Sequence, residues 1–289
     1  RSTLFPYTTL FRSTNFLFPF NQRLESGASA EAVLLRAAEL SHYREKRARY
    51  EAERTQNKRI RHGIGLSIVM HGGGFTGSGE DNMGTTVRVE FRDGRFLVLA
   101  SSVEMGQGSA TILPMVAAET LGVGLDRVTA PPADTNHVPN SGPTVASRTT
   151  MFVGAATHDA CQNLIGELTG FLSDENACPP SEIAFEEGTF SVGGRSLSIL
   201  DAASACVARR GELSAEGTYK GPPTANPWDD RGFSGDAYKG YSWLATVVEL
   251  EVDMDTYEAN PIHTTAVAEI GRVKVRRSEE RRVGKECRS

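Results

Sequence analysis

The sequence predicts an α+β fold, and three observations carry that prediction. A hairpin pattern, TVRVEF and FLVLAS, closes around Arg92-Asp93-Gly94-Arg95, where Asp-Gly supplies the positive φ angles that a two-residue turn needs. Two long stretches of helical period follow, Ser109 to Leu121 and about Thr149 to Leu172. Strands and helices do not alternate regularly, as a parallel βαβ sheet would require.

Taken in order, Ser29 precedes AEAVLLRAAEL, whose Val33, Leu34, Ala37, Ala38 and Leu40 recur near helical spacing, so a capped amphipathic helix is expected there. His42 to Lys58 interleaves Arg and Lys with Glu45, Glu51 and Glu53 and reads as a solvated helix face. From Gly63 to Met70 the pattern becomes that of an apolar strand. The Gly-rich run His71 to Glu80 lacks both the Lys-Ser/Thr ending of a phosphate loop and the strand-turn-helix setting of a dinucleotide fingerprint, so a mobile turn is expected. Helix Ser109 to Leu121 is closed by Gly122 and should kink at Pro114, which cannot donate a backbone bond. The later helix sets Phe152, Ala156, Ala160, Leu164 and Leu168 on one face. Near the end, WLATVVELEV and HTTAVAEI read as strands.

The two ends of the chain read differently from the rest. Arg277 to Cys287, RSEERRVGKEC, can be written in codons whose reverse complement translates as TLFPYTTLFRS, which is Thr3 to Ser13 letter for letter. One oligonucleotide joined to both ends of a DNA insert produces that relation, and the string resembles a sequencing-library adapter. Residues 1–13 and 277–289 are therefore expected to be adapter-derived, and such segments are set aside before fold reasoning. Each carries a formal +2, so the full chain's net −5 becomes −9 for what remains. An acidic chain without a basic stripe argues against a nucleic-acid partner. No run reaches the roughly 18 apolar residues of a membrane span. Cys161, Cys178 and Cys206 form no C-x-x-C pair, which leaves zinc and iron-sulfur ligation unsupported; free thiols fit a reducing, cytoplasmic setting.

Chemistry could sit at two loops of similar design. In each, small residues lie where the chain turns into a helix start: Gly106 and Gly108 in one, Ala146 and Ser147 in the other. Short side chains let the backbone approach a ligand, and a helix start presents N–H groups that favour anionic oxygens or sulfurs. Gln107 adds an amide, and Thr144, Ser147, Thr149 and Thr150 add hydroxyls. Taken singly, a Gly-x-Gly also reads as a turn and a Ser/Thr cluster as an N-cap.

Together, VEMGQG, a helix ending in AAETLGV, and DT-x-x-VPNSGPTVASRTT-x-x-x-G resemble the molybdopterin-binding large subunit of the xanthine dehydrogenase and aldehyde oxidase family. GDAYKGYSWLATVVELEVD and AVAEIGR resemble it in the same order, so the likeness runs from about residue 63 to 272, with little from 172 to 232. The helical patterns upstream make 14–62 a helical segment, and the resemblance implies an incomplete molybdenum-cofactor-binding domain over 63–276 built of mixed hairpins and helices. Met105, Gly106, Gln107 and Gly108 fall on the family's first cofactor loop, with the Gln107 amide expected to bond the pterin. Thr144, Val145, Ala146, Ser147, Arg148 and Thr149 fall on the second, where backbone amides are expected to hold the pterin phosphate and dithiolene and Ala146 to approach the metal. No side chain of this chain is expected to ligate molybdenum.

The implied activity is water-dependent hydroxylation of a purine or other N-heterocycle by a xanthine dehydrogenase-like molybdenum oxidoreductase. Iron-sulfur clusters and FAD are expected on partner subunits or domains. Aldehyde oxidoreductase, nicotinate dehydrogenase and carbon monoxide dehydrogenase large subunits are alternatives, and a non-catalytic structural or assembly module is a rival of another class. The family's general-base glutamate lies beyond AVAEIGR, so no catalytic residue is assigned; neither Glu104 nor Glu269 is expected to take that role.

Overall fold

A computed structural model of the protein describes residues 16–24, 29–56, 58–221 and 224–270; the adapter-like segments 1–13 and 277–289 lie outside these. The chain forms two compact units, one from the described residues up to Gly73 together with those from Thr224 onward, the other from Gly74 to Gly221.

The first unit opens with a short pair, β1 (Phe16–Leu17) and β2 (Arg23–Leu24), followed by α1 (Ala30–Leu40), α2 (Tyr43–Glu53) and β3 (Ile60–Gly72). The second unit runs through α3 (Ser78–Asp81), the hairpin β4 (Thr86–Arg92) and β5 (Arg95–Leu99), α4 (Ser109–Leu121), β6 (Val128–Thr129) and α5 (Gly154–Asn176). A small meander, β7 (Ala184–Glu186), β8 (Thr189–Val192) and β9 (Arg195–Ser198), leads to α6 (Ile199–Arg210) and β10 (Ser214–Thr218). The chain then returns to the first unit as β11 (Tyr241–Asp253) and β12 (Ala259–Glu269). Helices and separate, mainly antiparallel sheets make this an α+β protein, as the sequence predicts.

In the first unit β11 is the central strand of an antiparallel sheet ordered β12-β11-β3. Alternation puts Trp243, Ala245 and Val247 on the face that packs against Ala30, Val33 and Ala37 of α1. The next residue of that face is a carboxylate, Glu249, which is buried. It is accommodated because α2 supplies partners: Lys46 Nζ donates to it at 2.5 Å and the Tyr50 hydroxyl donates to its other oxygen. The charged stretch expected to be a solvated face thus has a working side, with Tyr43 and Tyr50 buried. The expected division between residues 62 and 63 falls inside β3.

In the second unit a four-stranded sheet is ordered β10-β4-β5-β6, antiparallel except for the β5/β6 pair. The β4/β5 turn carries Asp93 at φ 51° and Gly94 at φ 73°, the mirror-image geometry expected of this dipeptide. Val87, Val89 and Phe91 point to the face covered by α4 and α5. Helix α5 buries Ala156, Ala160, Leu164 and Leu168, the stripe read from the sequence. Its N-terminal entry is a π-turn, Thr149–Val153, which includes the buried Phe152. Helix α4 continues through buried Pro114 to Leu121.

Cys161 and Cys206 are buried, Cys178 is half-buried, and all three are free thiols. No helix among the described residues is long and apolar enough to cross a membrane.

Candidate cofactor site

The first loop leaves the sheet at the end of β5 and turns into α4. Gly106 (φ 98°) and Gly108 (φ 84°) occupy left-handed backbone, where a side chain would be strained; a Cβ at either would meet open space. The turn is organised by Glu104. Its Oε1 accepts from the Gly106 and Gly108 amides at 2.7 and 3.0 Å, and its Oε2 from the Ala110 amide at 2.8 Å and the Ser109 hydroxyl at 3.1 Å. The Ala110 amide, then the other donors, hold this carboxyl down at about 2. The amides of this helix start are thus engaged by the chain's own carboxylate. A group so acidic, with both oxygens engaged, is no general base near neutrality.

Gln107 closes the same turn. Its Oε1 accepts from the Met105 amide at 2.6 Å, while Nε2 donates to the Val103 carbonyl at 2.7 Å. The side chain expected to reach a cofactor thus braces its own loop, and Met105, 68% exposed, is the projecting residue.

The second loop lies directly beside the first. Ser101 and Ser141 exchange amide-to-hydroxyl bonds at 3.0 and 2.8 Å, and the Val103 amide donates to the Thr144 hydroxyl at 2.9 Å. Two segments about forty residues apart are thereby joined side by side. Beyond Thr144 come three exposed residues, Val145, Ala146 and Ser147, and both Ala146 (φ 55°) and Ser147 (φ 53°) adopt left-handed backbone. For residues with a Cβ this costs about 1–2 kcal/mol each, so the surroundings must impose it. The Ala146 carbonyl accepts from the Gly74 amide at 2.9 Å.

Arg148, expected to serve the second loop through its backbone amide, turns its side chain the other way. It is 0% exposed and points inward. Its guanidinium donates to Glu80 Oε1 through Nε and lies 2.9 Å from it through Nη2, while its remaining bonds go to the Ser141 and Pro143 carbonyls and the Thr85 hydroxyl. Its backbone amide donates to the Val145 carbonyl. Thr149, half-buried, begins the π-turn.

Glu104, Glu80, Ser101 and Ser141 are the organising residues that sequence reasoning passed over. Only Glu104 had a local signal, standing two, four and six residues before the amides it binds. A cavity of about 470 Å³ opens beside the first loop, lined by Val98, Ala100, Glu104, Leu113, Pro131 and Pro132 among others; no second-loop residue lines it.

No group of three or more His, Cys, Asp or Glu side chains able to hold a metal ion occurs among the described residues. The exposed main chain of Val145, Ala146 and Ser147, with small side chains around it, is a setting that fits an organic cofactor bringing its own metal ligands. The family model for the molybdopterin cofactor-binding domain matches residues 36–275. The chain belongs to that family.

Xanthine dehydrogenase 2 of Arabidopsis thaliana is 31% identical over 199 residues, covering 69% of this chain and 13% of that protein. CO dehydrogenase from Oligotropha carboxidovorans superposes with a TM-score of 0.71 at 19% identity, over 88% of this chain and 32% of that one. Aldehyde oxidoreductase from Desulfovibrio desulfuricans superposes with a TM-score of 0.62 at 20% identity, over 91% and 26%. Both structural likenesses bear on the fold. The chain spans 13% of the length of the Arabidopsis protein and 17% of relatives such as the xanthine dehydrogenase of Blastobotrys adeninivorans.

Proposed function

We propose that this chain is part of a cytoplasmic molybdenum hydroxylase and holds one edge of a molybdenum-molybdopterin cofactor along its two adjacent loops. The observation that carries the reading is the Val103-to-Thr144 hydrogen bond, which sets the VEMGQG and PTVASRT segments side by side. Bound there, the cofactor supplies the redox chemistry that inserts an oxygen from water into a purine or related N-heterocycle. The chain's residues position it. Met105 covers one side, and the left-handed Ala146-Ser147 step turns main chain outward where a long side chain would block approach. Gly106 and Gly108 shape the first loop rather than donate, since Glu104 takes their amides. Gln107 holds the loop's width and is the side chain placed to re-form a bond to the pterin. Iron-sulfur clusters and FAD on partner subunits or domains would receive the electrons.

The test is metal and pterin content of the full-length gene product containing this chain, expressed with cofactor assembly. About one molybdenum and one pterin per chain is expected, falling roughly 5- to 150-fold on Gln107→Trp or Ala146→Phe, because a bulky group in a closely fitted site costs about 1–3 kcal/mol. Full retention in both variants would overturn the reading. It would support a non-catalytic assembly module, which the internal satisfaction of the first loop by Glu104 favours.

A further inference from the structure

We infer that Glu80 is a positioning residue for the second loop, acting through Arg148; the inference rests on the cofactor reading just proposed. The Gly-rich run that contains Glu80 is docked against that loop at two points. Gly74, at φ 90°, donates its amide to the Ala146 carbonyl at 2.9 Å, and a Cβ there would stand 2.8 Å from the Phe152 ring and 3.2 Å from Glu80 Oε2. Glu80 itself is 3% exposed, with Oε2 accepting from the Phe75 amide at 3.0 Å and Oε1 facing Arg148 at 2.9 Å.

A guanidinium has five N–H donors in a rigid plane, and four hydrogen bonds engage it here, to Glu80, the Ser141 and Pro143 carbonyls and the Thr85 hydroxyl, with Nη2 also 2.9 Å from Glu80 Oε1 as an ion pair. That fork ties together residues 80, 85, 141 and 143, and hence the strand entry, the Ser101/Ser141 junction and the second loop. Space for it is reserved, since a Cβ at Gly142 would lie 2.7 Å from Nη1. A buried ion pair is a poor device for stability alone, because desolvation offsets the attraction. What Arg148 supplies in addition is direction. With its side chain pinned inward, the preceding Val145, Ala146 and Ser147 are held outward, and Ala146 and Ser147 are kept in a backbone conformation they would otherwise leave.

Glu80→Gln and Arg148→Lys, made in the full-length gene product, test this, with Leu168→Ala in the core of α5 as a comparably destabilising control. The readouts are trypsin cleavage after residue 148, amide exchange of residues 145–148, thermal midpoint, and bound molybdenum and pterin. In either loop variant, cleavage and exchange should rise about tenfold and cofactor content fall by a similar factor, since buried donors or acceptors lose their partners. The control should lower the midpoint while leaving cleavage and cofactor content near wild type below that midpoint. Wild-type protection and content in Arg148→Lys would overturn the inference, and so would equal losses in the control. If the unsubstituted protein holds no cofactor, the proposed function fails, while cleavage and exchange still report whether Glu80 fixes the loop.

Discussion

Gly217 in β10 makes the sharpest packing prediction in the second unit, because its missing Cβ leaves room for the backbone of α5. A Cβ placed there would lie 2.0 Å from the Ala160 nitrogen, 2.5 Å from the Ala156 carbonyl oxygen and 2.7 Å from the Ala160 Cα. All three are main-chain atoms of α5, so no rotamer change relieves the overlap, and the elements must part by more than about 1 Å to reach ordinary contact. Overpacking of this kind costs about 1–3 kcal/mol, and backbone resistance on both sides puts Gly217→Ala at the upper end. At roughly 2–4 °C per kcal/mol for a unit of this size, the midpoint should fall by about 6–12 °C. Gly166, on the exposed side of α5, is the matched control, since a Cβ there meets nothing within 4 Å. Gly166→Ala should gain about 0.5–1 kcal/mol from helix propensity and raise the midpoint slightly. Thermal and urea unfolding followed by circular dichroism measure both. Equal midpoints for the two variants, or a Gly217→Ala protein as stable as wild type, would refute the claim that α5 rests on a backbone-to-backbone contact with β10.

Two further outcomes follow from groups whose titration is displaced. Glu104 is ionised down to about pH 2 because the Ala110, Gly108 and Gly106 amides and the Ser109 hydroxyl bind its charged form. A depressed carboxylate contributes fully above its ordinary value and loses that contribution as pH falls through the folded one, so the first loop should keep its order as pH is lowered from 7 to about 3.5. Amide resonances of Gly106, Gly108 and Ala110 should show no titration step in that interval, and a midpoint near 4.5 would contradict the assigned bonds. Burial pushes the Cys161 thiol up to about 12, so a thiol reagent at about pH 8 should modify half-buried Cys178 well before Cys161. Peptide mapping that finds the two labelled at the same rate in the native state would contradict the buried placement on α5.

Much of this protein is determined within short windows of its sequence. Asp93-Gly94 demands a mirror-image hairpin turn because of the φ angles those two residues accept, and the four-residue recurrence from Phe152 to Leu168 makes one face of α5 apolar whatever surrounds it. Gly106 and Gly108 likewise announce a tight turn before a helix, and the order of the VEMGQG and PTVASRT strings is enough to place the chain in its family. Other features depend on residues far apart in the chain, where no window can relate them. Arg148 stands in a run of small exposed residues and reads as part of their surface; only the arrival of Glu80, 68 positions earlier, beneath the loop turns it inward. Glu249 continues an apolar alternation and is tolerated there because Lys46 and Tyr50 reach it from α2, some two hundred residues away. The side-by-side setting of the two loops belongs to this second group. A hydrogen bond between Val103 and Thr144 exists because β4, β5 and α5 bring their ends together. Local chemistry can specify the shape of each loop, while their adjacency is a property of how the core packs.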